Sequence, residues 1–152
     1  MKFPWQKPQE FFSEAEKQQL VAAIQRAEQR TSGEVRLFIE SKCRFVDPVD
    51  RAKEIFLQTE MHHTQDRNAT LIYVAVKDHQ AAILGDAGIH EKVRQQYWEE
   101  EVKKMMMHFK NEHLASGIVN IIDDIGEALH QHFPYERDTD KNELPDEIMF
   151  GR

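Results

Sequence analysis

The sequence predicts an α/β protein: a three-layer α/β/α sandwich around a small mixed β-sheet. Three observations lead there. Apolar residues alternate or run together over three short stretches of strand length, at 35–39, 69–76 and 80–84. Apolar stripes at helical spacing precede, separate and follow these stretches. A helix-length segment joins the first two strands, whereas a tight turn joins the second and third. The first pair is therefore expected to be parallel and the second antiparallel.

Each element has its own signal. Ser13 and Glu16 form the S-x-x-E capping box of a first helix, with Leu20, Val21, Ile24 and Ala27 on its apolar side. That helix is expected to end near Arg30, before Thr31-Ser32-Gly33. Val35, Leu37 and Ile39 alternate with Glu34, Arg36 and Phe38 as a strand. Asp47-Pro48 places a capping residue before a proline at the first helical position, and Ala52, Ile55 and Phe56 give the second helix its apolar face. The run from Leu71 to Val76 is nearly all apolar, as a central strand covered on both faces should be. Asp78-His79 marks a turn, and the return strand closes at Gly85. From His90 the period is helical again, with Val93, Tyr97, Val102, Met105, Met106 and Phe109 on one face until Asn111-Glu112-His113. Ile118, Ile121, Ile122, Ile125 and Leu129 stripe the last helix, which Pro134 stops.

Residues 1–134 thus read as one domain. Residues 135–152 read as an acidic, flexible tail without periodicity, in which Leu144 and Ile148 offer local docking points. A chain of 152 residues is long enough for a single sizeable core. The net charge of -7 argues against nucleic acid as a partner, since phosphate contacts need clustered Lys and Arg. The lone Cys43 permits no intrachain disulfide. No apolar run approaches the roughly 20 residues that span a bilayer, and Met1-Lys2-Phe3-Pro4-Trp5 is not an apolar leader. The expectation is a soluble, cytoplasmic protein without membrane insertion.

The element order carries a consequence for function. The start of the first strand, the start of the second and the end of the third all fall at one end of the sheet. That rim gathers Thr31 to Glu34, Asp66-Arg67-Asn68, and Gly85-Asp86-Ala87-Gly88. Asp86 sits in a glycine-bounded turn where carboxylate and carbonyl oxygens meet, a donor set suited to calcium or magnesium. Its plainer reading is a cap for the next helix. Asp66-Arg67-Asn68 offers a metal ligand, a phosphate-binding guanidinium and an orienting amide; its plainer reading is a solvated loop in which Asp66 pairs with Arg67. Glu34 reaches the same end, although a glutamate at a strand edge is more often solvated. Asp123 and Asp124 fall off the stripe of the last helix, which suits a polar face. Cys43 lies between Lys42 and Arg44, but no general base can be placed beside it. The histidines show no metal-ligand spacing and read mostly as surface residues.

Thr31-Ser32-Gly33-Glu34-Val35, Arg67-Asn68-Ala69 leading into Leu71-Ile72-Tyr73-Val74, Gly85-Asp86-Ala87-Gly88-Ile89, Trp98, Phe109, Gly117-Ile118 and Phe133-Pro134 together resemble the TPM domain family. That family occurs in bacterial proteins and in plant thylakoid proteins linked to photosystem II repair. The resemblance spans about Ser13 to Pro134. It implies an α/β/α sandwich with a polar groove, binding of a divalent cation (calcium the usual candidate), and a phosphatase activity attributed to some members. The resemblance supports the rim as a functional site, and the predicted convergence there points to Asp66 and Asp86, with Glu34 beside them, as metal ligands and to Arg67 and Asn68 as ligand-binding residues. The function expected is a cation-binding domain that engages a ligand or protein. The alternative is a weak metal-dependent phosphatase acting on phosphomonoesters. No catalytic nucleophile can be named.

Overall fold

The computed structural model describes residues 11–45, 47–110, 113–135 and 148–151. Among them are four helices and a four-stranded mixed sheet. The elements are α1 (Glu14–Glu28), β1 (Glu34–Glu40), α2 (Pro48–Gln58), β2 (Ala69–Ala75), β3 (Gln80–Gly85), α3 (Ala87–Lys110), α4 (Leu114–His132) and β4 (Met149–Phe150). The strand order is β3-β2-β1-β4. β1 runs parallel to β2, and β2 pairs antiparallel with β3, as the connection lengths require.

The helix starts follow from local chemistry. Ser13 Oγ accepts from the Glu16 N–H while Glu16 Oε1 accepts from the Ser13 N–H, so two orphan donors of α1 are satisfied reciprocally. Asp47 Oδ1 accepts from the Val49 N–H ahead of Pro48, which fixes the start of α2. β2 is buried along its whole length, in keeping with its apolar run and central place.

The two faces of the sheet are covered unequally. On one, Val35, Leu37, Ile39, Ile72, Val74 and Ile83 pack against α1, α3 and α4. On the other, Leu71, Tyr73 and Ala82 pack against Ala52, Ile55 and Phe56 of α2. Three helices thus cover one face and one covers the other. The close approach of α1 and α4 depends on Gly126, where an added methyl group would meet Ala27 Cβ at 2.8 Å. The thinner α2 face is where a cleft opens.

Three features depart from the sequence reading. α3 begins at Ala87 rather than His90, because Asp86 accepts from its first N–H. It is interrupted at Arg94, whose backbone is non-helical. The end of the chain also adds a strand to the sheet: Met149 and Phe150 pair parallel with Phe38 and Ile39. Ile148 packs against the main core, as a docking residue should. Leu144, like residues 136–147 around it, lies outside the described residues.

Candidate functional site

The rim forms at the end of the sheet where the chain order places it. Glu34 lies opposite Ala69, and Thr70 opposite Gly85, so the starts of β1 and β2 and the end of β3 are neighbours. The Asp86 N–H donates to the Ala69 carbonyl at 2.8 Å, and the Gly88 N–H donates to the Arg67 carbonyl at 2.7 Å. Arg67 adopts a left-handed backbone (φ 51°), which turns the chain into β2. Gly88 is required by this closeness. Any Cβ there would collide with the carbonyl oxygens of Asp66 and Arg67.

The decisive contact is between side chains. Asp86 is 6% exposed, and both its oxygens are engaged by the Arg67 guanidinium. Arg67 Nε donates to Oδ2 at 2.6 Å and Nη2 to Oδ1 at 2.7 Å. Oδ1 also accepts from the Ala87 N–H at 2.8 Å. Asp86 is thus both a charge partner and the acceptor that starts α3. The hydrogen bonds to Asp86, reinforced by its charge, hold the Arg67 pKa above its ordinary value. The Arg67 side chain is half exposed.

The other expected site residues are placed differently. Asp66 is exposed and forms no ion pair among the described residues, so the anticipated pair with Arg67 is made by Asp86 instead. Glu34 is buried rather than solvated. It lies near the buried Arg36, whose pKa is pushed down by burial against the opposing influence of Glu34 and Glu28. Asn68 is buried and donates through Nδ2 to Ser32 Oγ at 3.2 Å, while its Oδ1 is buried without a hydrogen-bond partner among the described residues. Thr31 is turned away to the end of α4, where its hydroxyl bonds the Leu129 and Phe133 carbonyls. Among the described residues, no three His, Cys, Asp or Glu side chains converge to hold a metal ion.

The TPM domain family matches residues 6–128. The chain belongs to this family. It is similar to the BA42 protein of the psychrophilic bacterium Bizionia argentinensis, whose solution structure superposes with a TM-score of 0.85 at 37% identity, covering 95% of this chain and 99% of that one. It also resembles the N-terminal domain of the cg2496 protein of Corynebacterium glutamicum, with a TM-score of 0.59 at 15% identity over 78% of this chain and 74% of that one. The second likeness concerns the fold alone. None of the curated proteins matches the chain. No described helix is long and apolar enough to cross a membrane.

Beside the Arg67–Asp86 pair, this TPM domain opens a cleft of about 310 Å3 between α2, the loop before β2 and the end of β3. Phe56, Leu57 and Leu84 give it apolar walls, and Lys53, His62 and Arg67 stand around it. Lys53 was not singled out in the sequence, and His62 was read there with the other histidines as mostly surface residues. The signal was there for α2, since Lys53, Phe56 and Leu57 share one helical face at i, i+3 and i+4.

A second polar cluster lies between α3 and α4. Glu101 is 3% exposed, and Lys104 Nζ reaches Glu101 Oε1 and Asp124 Oδ2, each at 3.2 Å. The Tyr97 hydroxyl donates to the Asp124 carbonyl at 3.1 Å. Burial and the adjoining Asp124 carboxylate push the Glu101 pKa up to about 7, against the pull of Lys104. Asp123, on the other flank of α4, pairs with Arg26 of α1 at 3.2 Å. The polar face expected at Asp123 and Asp124 is therefore used to tie α4 to both neighbouring helices.

Proposed function

We propose that this TPM domain is a divalent-cation-binding module, for calcium or magnesium, in which Arg67 is the resident counter-ion of the principal ligand, Asp86. The observation that carries the reading is the fork itself. A carboxylate this buried needs a positive partner, and the partner present is half exposed, on a loop that meets water. Arg67 can leave for solvent at little desolvation cost while a cation takes its place. The donor set suits a weakly held, largely hydrated ion: Asp86 and Asp66 contribute carboxylates, and Glu34 at the neighbouring strand start adds negative potential. A bound cation would polarise any ligand oxygen it touches. An acidic chain with a single cysteine suits a cytoplasmic module of this kind, engaging a small ligand or a protein partner.

Calorimetry with calcium and with magnesium tests the reading. Wild-type protein should give a saturable heat at millimolar metal and a raised melting temperature, and Asp86→Asn should give neither. Silence in the wild type, or equal binding by the variant, would sink it.

The exposed guanidinium supports the alternative, a metal-dependent phosphatase for phosphomonoesters. Released from Asp86, Arg67 would present a planar donor pair suited to phosphate. Asn68 is less suited to direct contact, being buried against Ser32 and outside the cleft lining. Equal phosphomonoester turnover by wild type and Asp86→Asn would remove this alternative.

A further inference from the structure

We propose that the cleft between α2 and the end of β3 binds a small organic monoanion with an apolar body. The site needs no metal at Asp86, although its lining shares Arg67 and Asp86 with the cation exchange proposed above.

Charge is the first argument. The chain as a whole carries -7, yet this cleft is lined by a single carboxylate, Asp86, which Arg67 already neutralises. Lys53 is left as uncompensated positive charge, because it forms no ion pair among the described residues. Its helix neighbour Glu54 is turned to Arg51. Arg67 contributes donors as well as charge balance: Asp86 takes Nε and Nη2, and the remaining N–H groups of the guanidinium are available to an incoming anion. His62 also lines the cleft, with its Nδ1 buried and without a hydrogen-bond partner among the described residues.

The apolar walls are the second argument. Leu57 is 62% exposed, and what gives that exposure meaning is the apolar surface it continues at the cleft. It adjoins Phe56 and Leu84 across the cleft. An inorganic anion would leave these walls wet, and a neutral apolar molecule would leave Lys53 and Arg67 unused. A carboxylate on a short chain or ring satisfies both. The volume of about 310 Å3 corresponds to roughly ten water molecules, hence to a ligand of about ten heavy atoms. It lies at the small end of ligand pockets.

The test is titration of the full chain with octanoate in EDTA-containing buffer, followed by amide chemical shifts. Octanoate should move resonances of Lys53 to Leu57, His62 and Leu84 to Asp86 in a saturable way. Acetate and octylammonium should each bind at least about tenfold more weakly, because one lacks the body and the other the charge. Lys53→Glu should weaken octanoate about tenfold and Leu57→Ser about fivefold, with unchanged melting temperatures because both positions are exposed. Shifts scattered over the surface, or octanoate affinity unchanged in both variants, would overturn the proposal. Since metal is absent, octanoate failure leaves calcium binding untouched, and calcium failure leaves octanoate binding untouched.

Discussion

Asp86 and Glu101 are both buried carboxylates near a helix of this domain, and they are compensated in opposite ways. Asp86 receives a planar guanidinium fork plus a backbone N–H at the start of α3. Glu101 receives one ammonium, from an exposed lysine that it shares with a second carboxylate, Asp124. A fork matches both carboxylate oxygens, whereas an ammonium is a point charge on a flexible stem. The first site is therefore electrostatically complete, and anything that binds Asp86 must displace Arg67. The second is incomplete, and a proton completes it, with a pKa of about 7.

The largest effect that would break this contrast comes from removing the Asp86 charge. Asp86→Asn should destabilise the domain by about 2 kcal/mol in urea unfolding, below the usual loss for a buried pair because Arg67 can turn to water. A loss under about 0.5 kcal/mol would mean that the fork contributes little.

The Glu101 cluster should show its incompleteness as pH dependence. The folded pKa of about 7 lies above the ordinary 4.5. Below the lower value both folded and unfolded chains hold the proton, and above the higher neither does. Between them the folded state binds more protons, so stability falls as pH rises from about 5 to 8, by about 2 kcal/mol. Glu101→Gln should flatten that slope. A slope unchanged in the variant would show that the pH response arises elsewhere.

The smallest effect concerns fork against point charge directly. Arg67→Lys keeps the charge but loses the second hydrogen bond, and should cost about 1 kcal/mol by urea unfolding. A substitution as damaging as Asp86→Asn would instead place the stabilisation in the rim backbone.

The contrast also explains which parts of the molecule were legible in the sequence. The Ser13–Glu16 box, Asp47-Pro48 and the apolar run of β2 are local signals, and each set its element. The convergence of Asp66-Arg67-Asn68 with Asp86 followed from connection lengths alone. The fork did not, because nothing in the sequence decides whether Arg67 turns to Asp66 beside it or to Asp86 across the hairpin. Glu101 was hidden in the run Glu99-Glu100-Glu101, which reads as a solvated face. Its position between the buried Trp98 and Met105, at i+3 and i−4, is the signal that marks it as inward. β4 was invisible for another reason. Two residues carry no period, and their partner strand lies far away in the chain.

The exchange at Asp86 is tested most directly by removing its internal competitor. Arg67→Gln leaves the buried carboxylate without its guanidinium, so calcium titrated by calorimetry should bind this variant more tightly than wild type, by about tenfold. Calcium binding that is absent from both proteins, or weaker in Arg67→Gln than in wild type, would contradict a cation site held in reserve by Arg67.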